Sequence, residues 1–89
     1  PKYPEMRRDL SLFCPIGTSY RDIQSVISSS DKKLLRRMSL FDVYQDDAKT
    51  AGKVSYSISL YFGLDDRTLA DHEVDASIKT ILVQWVQIR

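Results

Sequence analysis

The stretch KVSYSISLYFG, residues 53–63, sets the tightest constraint on how this chain can fold. Val54, Tyr56, Ile58, Leu60 and Phe62 fall on one side of an extended backbone, and Lys53, Ser55, Ser57, Ser59 and Tyr61 on the other. A period of two this regular describes a strand with one buried face and one face that meets water or a partner. Such a strand needs neighbours along its edges and a second layer over its apolar side.

Both can be found along the chain. RDLSLFC (8–14) alternates in the same way, with Arg8, Leu10, Leu12 and Cys14 on one side and Asp9, Ser11 and Phe13 on the other. PIGT breaks that strand. SYRDIQSVISS follows, with Ser19 as N-cap and Asp22 three residues later at the positive end of the helix dipole. Ile23, Val26 and Ile27 give this helix one apolar stripe. LLRRMSLFDVYQDD (34–47) supplies the second strand, ending near Gln45. It seats Asp42 between Phe41 and Val43, where strands are depleted in Asp. Phe41 and Val43 are expected to point at the helices, which leaves Asp42 and Tyr44 together on the open face.

The polar loop 46–52 joins this strand to the third. LDDRT is a turn, and a second helix begins near Asp71, with Val74, Ile78, Ile81 and Leu82 spaced for burial. Trp85 continues that spacing, but QWVQIR also alternates, and an open sheet needs a partner for its other edge. The expectation is therefore a helix ending near Val83 and a short final strand over residues 84–89. The order β-α-β-β-α-β is that of a ferredoxin-like α+β sandwich, a four-stranded antiparallel sheet with both helices on one face. Residues 1–89 read as a single domain.

The open face then carries Asp9, Ser11 and Phe13 from the first strand, Asp42 and Tyr44 from the second, and Ser55, Ser57, Ser59 and Tyr61 from the third. If the 46–52 loop closes a symmetric hairpin, Tyr44 sits across from or diagonal to Ser55, with Asp42 one pair further along. A ring, a carboxylate and small hydroxyls suit an unpaired base, which is bound by stacking and by contacts to its edges. Arg7, Arg8, Arg36, Arg37 and Lys53 are candidates for neighbouring phosphates. The default alternative is that Asp42 and Tyr44 face water and that Arg7–Arg8 and Arg36–Arg37 are solvated charges.

Composition narrows the function. Thirteen basic residues against twelve acidic ones leave a net charge of +1, which argues against a stand-alone polycationic binder. Cys14 is the sole cysteine, so an internal disulfide and a Cys-rich metal site are excluded, and its apolar surroundings suggest a buried thiol. His72 is the one histidine, beside Asp71 and Glu73 in the first turn of a helix, and reads as a surface residue. Neither residue has a partnering motif for metal binding or nucleophilic catalysis. Asp46–Asp47 and Asp65–Asp66 read as turn residues, and Gly17, Gly52 and Gly63 form no phosphate-cradling motif. No apolar run is long enough to span a membrane and no signal peptide is visible, so a cytoplasmic location is expected. The start at Pro1, within polar sequence approaching a strand, suggests a piece of a longer protein.

KYPEMRRDLSLF (2–13), FDVY (41–44), GKVSYSISLYF (52–62) and DDRTLADHEV (65–74) resemble, in order and spacing, the ferredoxin-fold anticodon-binding domain. That domain closes the beta subunit of bacterial phenylalanyl-tRNA synthetase and the single-chain organellar enzyme. The resemblance covers nearly the whole chain. It implies recognition of the phenylalanine tRNA anticodon, with ligation catalysed elsewhere in the enzyme. Partners would be that tRNA, the rest of the beta subunit and the alpha subunit. ATP and Mg would serve the parent enzyme, with no cofactor in this domain. By motif, Tyr44 matches the tyrosine that stacks on the first anticodon base, a guanine, while Asp42 and Ser55 match residues contacting the same region. Arg8 and Asp9 match the family's arginine–aspartate pair, more structural than base-contacting, and Arg8 and Lys53 complete the expected RNA-binding set.

Three departures stand out. Ala70 replaces a Ser or Thr before the second helix, which leaves Asp71 as a candidate cap. Gln45–Asp46 replace a basic residue and a glycine in the hairpin loop. The chain beyond Thr68 is about a turn and a half shorter than the resemblance implies, so the piece is expected to stop short of the natural terminus. Two other readings share the fold. A small-molecule regulatory or protein-interaction domain would dimerise with its ligand. An RNA-recognition module would carry an aromatic, glycine-rich third strand, and this third strand offers serines instead.

Overall fold

The computed structural model describes residues 3–46 and 48–88, so Asp47 of the expected acidic turn and Arg89 of the expected last strand lie outside the described residues. The elements are β1 (Met6–Pro15), α1 (Tyr20–Ser30), β2 (Leu35–Tyr44), β3 (Lys53–Phe62) and α2 (Asp71–Ile88). β3 lies at the centre of the sheet, antiparallel to β1 on one side and to β2 on the other. Its apolar side forms the floor of the core: Val54, Ile58, Leu60 and Phe62 are buried, joined by Leu12 and Cys14 of β1. Ile23 and Ile27 of α1 and Val74, Ile81 and Trp85 of α2 close over them. The alternation of β1 and β3 and the stripe of α1 thus lead to the expected faces.

The helix starts are set locally. Ser19 has extended backbone angles, and its hydroxyl accepts from Asp22 N at 3.1 Å, which satisfies one of the helix's orphan donors. At α2 the cap differs from expectation. Ala70 occupies the N-cap position, its carbonyl accepting from Glu73 N at 3.1 Å, and Asp71 is the first helical residue. Ala70 has no side-chain oxygen to offer, so only the reciprocal half of a capping box forms, in which Glu73 accepts from Ala70 N at 2.8 Å. Arg67 donates to both Glu73 oxygens at 2.8 and 2.6 Å. The Arg67 side chain, followed by the Ala70 amide, holds the Glu73 carboxyl at about 2, well below its usual range.

The C-terminal segment corrects the sequence reading. Residues 84–88 continue α2 rather than forming a final strand, and the sheet has three strands among the described residues. The physical reason is Trp85, which lies eleven residues after Val74 and four after Ile81. On a helix these three share one side, and Trp85 keeps only 5% of its surface there. A strand beginning at Gln84 would take that ring off the helix face that buries it. Leu82, expected inside, lies on the flank at 38% exposure. No described helix is long and apolar enough to cross a membrane.

Candidate nucleic-acid interface

The register of the sheet arranges the open face in four rows across β1, β3 and β2. From one end they are Arg7–Tyr61–Arg37, Asp9–Ser59–Ser39, Ser11–Ser57–Asp42 and Phe13–Ser55–Tyr44. The outward pairing of Asp42 and Tyr44, expected from the sequence, depends on a feature that the sequence did not reveal. Met38 and Leu40 pair with Leu60 and Ile58 on the helix side, so uninterrupted alternation would have carried Asp42 and Tyr44 inward as well. A bulge between Leu40 and Asp42 absorbs Phe41 as an extra residue and shifts the parity. Asp42 then faces Ser57 and Tyr44 faces Ser55.

Phe41 and Val43 do not behave as expected. Val43 pairs with Tyr56 on the helix side and Phe41 occupies the bulge, yet they are 55% and 52% exposed, Phe41 first. The helical layer leaves this corner of the edge strand uncovered. With Phe13 and Tyr44 also exposed, one end of the molecule carries an apolar, ring-rich rim.

The two aspartates of the open face have opposite surroundings. Asp9 accepts from Arg7 at 2.9 and 3.1 Å and from the Ser59 hydroxyl at 2.7 Å. The hydrogen bonds from Arg7 and then Ser59 hold its carboxyl below the ordinary range, against a smaller desolvation effect. Asp42 is exposed and has no hydrogen-bond or ion-pair partner among the described residues. Its acceptor oxygens are open to a ligand. Ser11 and Ser57, hydroxyl to hydroxyl at 3.1 Å, form the floor beside it.

Tyr44 is positioned by the hairpin loop. Its hydroxyl donates to Asp46 at 3.4 Å. Asp46 in turn accepts from Ala48 N at 2.9 Å and Lys49 N at 3.0 Å, and its carbonyl accepts from Thr50 N at 2.7 Å. The loop closes through Ala51 and Gly52, both at positive φ, of 53° and 75°. The sequence marks Asp46 only as a turn residue. An aspartate at a strand-to-turn junction commonly caps the turn's amides, and that was the available signal. Asp46, one of the two residues that depart from the family pattern, therefore organises the turn and tethers the Tyr44 hydroxyl.

The remaining expected residues divide. Ser55 lies between Phe13 and Tyr44 in its row and is buried at 7% exposure, so it supports the two rings more than it offers a hydroxyl. Lys53 is exposed, on the open side by parity with Ser55. Arg8 is on the helix side, where it donates to Asp71 at 3.1 Å. It ties β1 to the start of α2 and is not part of the open face. Both members of the arginine–aspartate pair are engaged within the fold, Arg8 with Asp71 and Asp9 with Arg7 and Ser59.

These residues were compared with known proteins. A family model, the ferredoxin-fold anticodon binding domain, matches residues 1–87, and the chain belongs to that family. The relatives found are phenylalanine–tRNA ligase beta subunits. That of Porphyromonas gingivalis is 41% identical over 94% of this chain and 11% of its own length. Those of Moorella thermoacetica and Lactococcus lactis are 38% and 36% identical, over 91% and 98% of this chain and 10% and 11% of theirs. The chain spans about a tenth of the length of the curated relatives it matches.

Proposed function

We propose that the open face recognises the anticodon of phenylalanine tRNA, within the beta subunit of a phenylalanine–tRNA ligase whose catalytic site, with its ATP and Mg, lies outside these residues. The observation that carries this reading is the pairing of Asp42, which has no partner among the described residues, with the half-exposed ring of Tyr44, both turned outward by one bulge. Tyr44 stacks on the first anticodon base. Asp42 accepts from the ring N–H and amino group of a guanine there, a pattern that adenine and the pyrimidines do not present to a single carboxylate. Phe13 and Ser55 back the stacking ring, and Lys53 meets an adjacent phosphate. Arg8 acts by holding β1 against α2.

The domain supplies binding and positioning. Its nearly neutral charge makes the isolated contact weak, because few phosphates can be neutralised. The test is a titration of phenylalanine tRNA into the full-length synthetase carrying Tyr44→Ala, against a tRNA altered at the first anticodon base. Lower affinity for the natural tRNA and a smaller difference between the two are expected. Unchanged binding and aminoacylation would overturn the stacking assignment, and an equal loss with preserved discrimination would make Tyr44 structural.

A further inference from the structure

Five cations were candidates for phosphates, and the fold distributes them unequally. Arg8 is on the helix side with Asp71, Arg36 holds Asp65 at 2.7 Å, and Arg7 engages both oxygens of Asp9. Lys53 is exposed two residues before Ser55, the partner of Tyr44. Arg37 stands apart: its guanidinium carbon sits 3.7 Å from the centroid of the Tyr61 ring. The one side-chain hydrogen bond of Arg37 among the described residues is a 3.4 Å ion pair with Glu5, and the side chain is 59% exposed. The fork is held from below while most of its donors remain unused.

A second bulge brings Arg37 there. Leu35 faces Phe62, and regular alternation would put Arg36 opposite Tyr61 and return Arg37 to the helix side. The irregularity between Leu35 and Arg37 gives Tyr61 to Arg37 instead and releases Arg36 toward Asp65. Bulges commonly re-aim a side chain in this way. β2 therefore has two, one placing Arg37 on the open face and the other placing Asp42 and Tyr44 there.

We propose that Arg37, seated on Tyr61, is a second contact for the same RNA strand and takes a backbone phosphate at the end of the open face opposite Tyr44. This rests on the reading of that face as an RNA surface. From Ser55 to Tyr61 the strand advances ~20 Å at ~3.3 Å per residue, so the phosphate belongs to a nucleotide further along than the stacked one. Between the two ends Ser39, Ser57 and Ser59 keep the path beside β2 low; the two carboxylates of these rows are Asp42, at the base edge, and Asp9, on the far strand and neutralised by Arg7. A phosphate suits the geometry because Tyr61 already covers one plane of the guanidinium, while the planar fork binds phosphate oxygens in pairs. The cation–π contact restrains a long side chain in the free protein, which reduces the ordering cost of binding.

The test is a salt series of tRNA titrations with the full-length synthetase carrying Arg37→Ala. Affinity should fall about equally for tRNAs with the natural and an altered first anticodon base. The plot of log affinity against log salt should become shallower by about one. Lys79→Ala, on the exposed side of α2, removes the same charge and should leave that slope unchanged. An unchanged affinity and slope in Arg37→Ala would overturn the proposal, as would a loss confined to one first base. Tyr44→Ala run alongside separates the two readings. If it leaves binding intact while Arg37→Ala flattens the slope, the first-base assignment fails and the phosphate contact stands. The reverse pattern removes Arg37 alone.

Discussion

One strand, β3, presents two surfaces that obey different physics. Toward the helices, Ile58, Leu60 and Phe62 are fully buried and belong to one continuous apolar cluster. Toward the open side, Ser55, Ser57, Ser59 and Tyr61 form the spine of a polar face whose other members come from β1 and β2. The buried side holds the protein together through area removed from water, and any apolar group of the right volume serves there. The open side is held by hydrogen bonds such as Ser59–Asp9 and Ser11–Ser57, and Asp42 and Tyr44, both exposed, are the ones free to be chosen for what they bind.

The largest effect that would sharpen this contrast is on the buried side. Phe62→Ala should cost ~3–5 kcal/mol of unfolding free energy, read by denaturant titration, because the ring is fully buried in the core. Any loss of RNA binding should then follow the fraction unfolded. Tyr44→Ala should do the opposite, leaving the denaturation midpoint nearly in place. Loss of one stacked base would weaken tRNA binding by ~1–3 kcal/mol, roughly 5- to 150-fold. A large drop in stability with Tyr44→Ala would break the contrast, since the ring would then be part of the core.

Smaller changes probe the open face itself. Asp42→Asn keeps the shape and replaces one acceptor oxygen by a donor. Discrimination for guanine at the first anticodon position should narrow by about 1 kcal/mol, measured as a ratio of dissociation constants for two tRNAs. Equal affinity ratios in the variant and the natural protein would count against a role for Asp42. Tyr44→Phe keeps the stacking ring and loses only the 3.4 Å tether to Asp46, so binding should change by less than about threefold. The smallest effect lies away from both faces, at the start of α2. The Glu73 carboxyl titrates at about 2 when folded, against 4.5 ordinarily. Its depressed value means the ionised form is favoured by folding. Its stabilisation is therefore present above about pH 4.5 and lost as the pH falls toward 2. In Glu73→Gln that part of the acid transition should vanish, followed by circular dichroism of the helices. An unaltered acid profile would remove Glu73 from the cap.

Much of this was legible residue by residue. The period of two in β1 and β3, the N-cap at Ser19 and the stripe of α1 are local patterns, and local patterns survive into the fold. Phe13 and the serines of β3 take their place on the open face from that alternation alone, whereas Asp42 and Tyr44 reach it only through the bulge after Leu40. Besides the two bulges of β2, three features were not legible. The hydrophobic spacing of residues 78–85 favours a helix and the open sheet edge favours a strand, and only the burial of Trp85 decides for the helix. The accessibility of Ser55 could not be judged until Phe13 and Tyr44 were seen to flank it. The cations looked alike until Asp71, Asp65, Asp9 and Glu5 were placed around them.

The sequence by itself determined which residues could share a face along each regular strand, because side chains alternate wherever the backbone is extended. Only the tertiary structure decided where that alternation is interrupted. The two bulges of β2 arise from pairing with β3, a partner distant in sequence, and each reverses the face of everything beyond it. The same holds for charge. A carboxylate is an open acceptor or a paired one according to neighbours brought in by folding, and so Asp42 and Asp9, alike in sequence, differ in what they can bind.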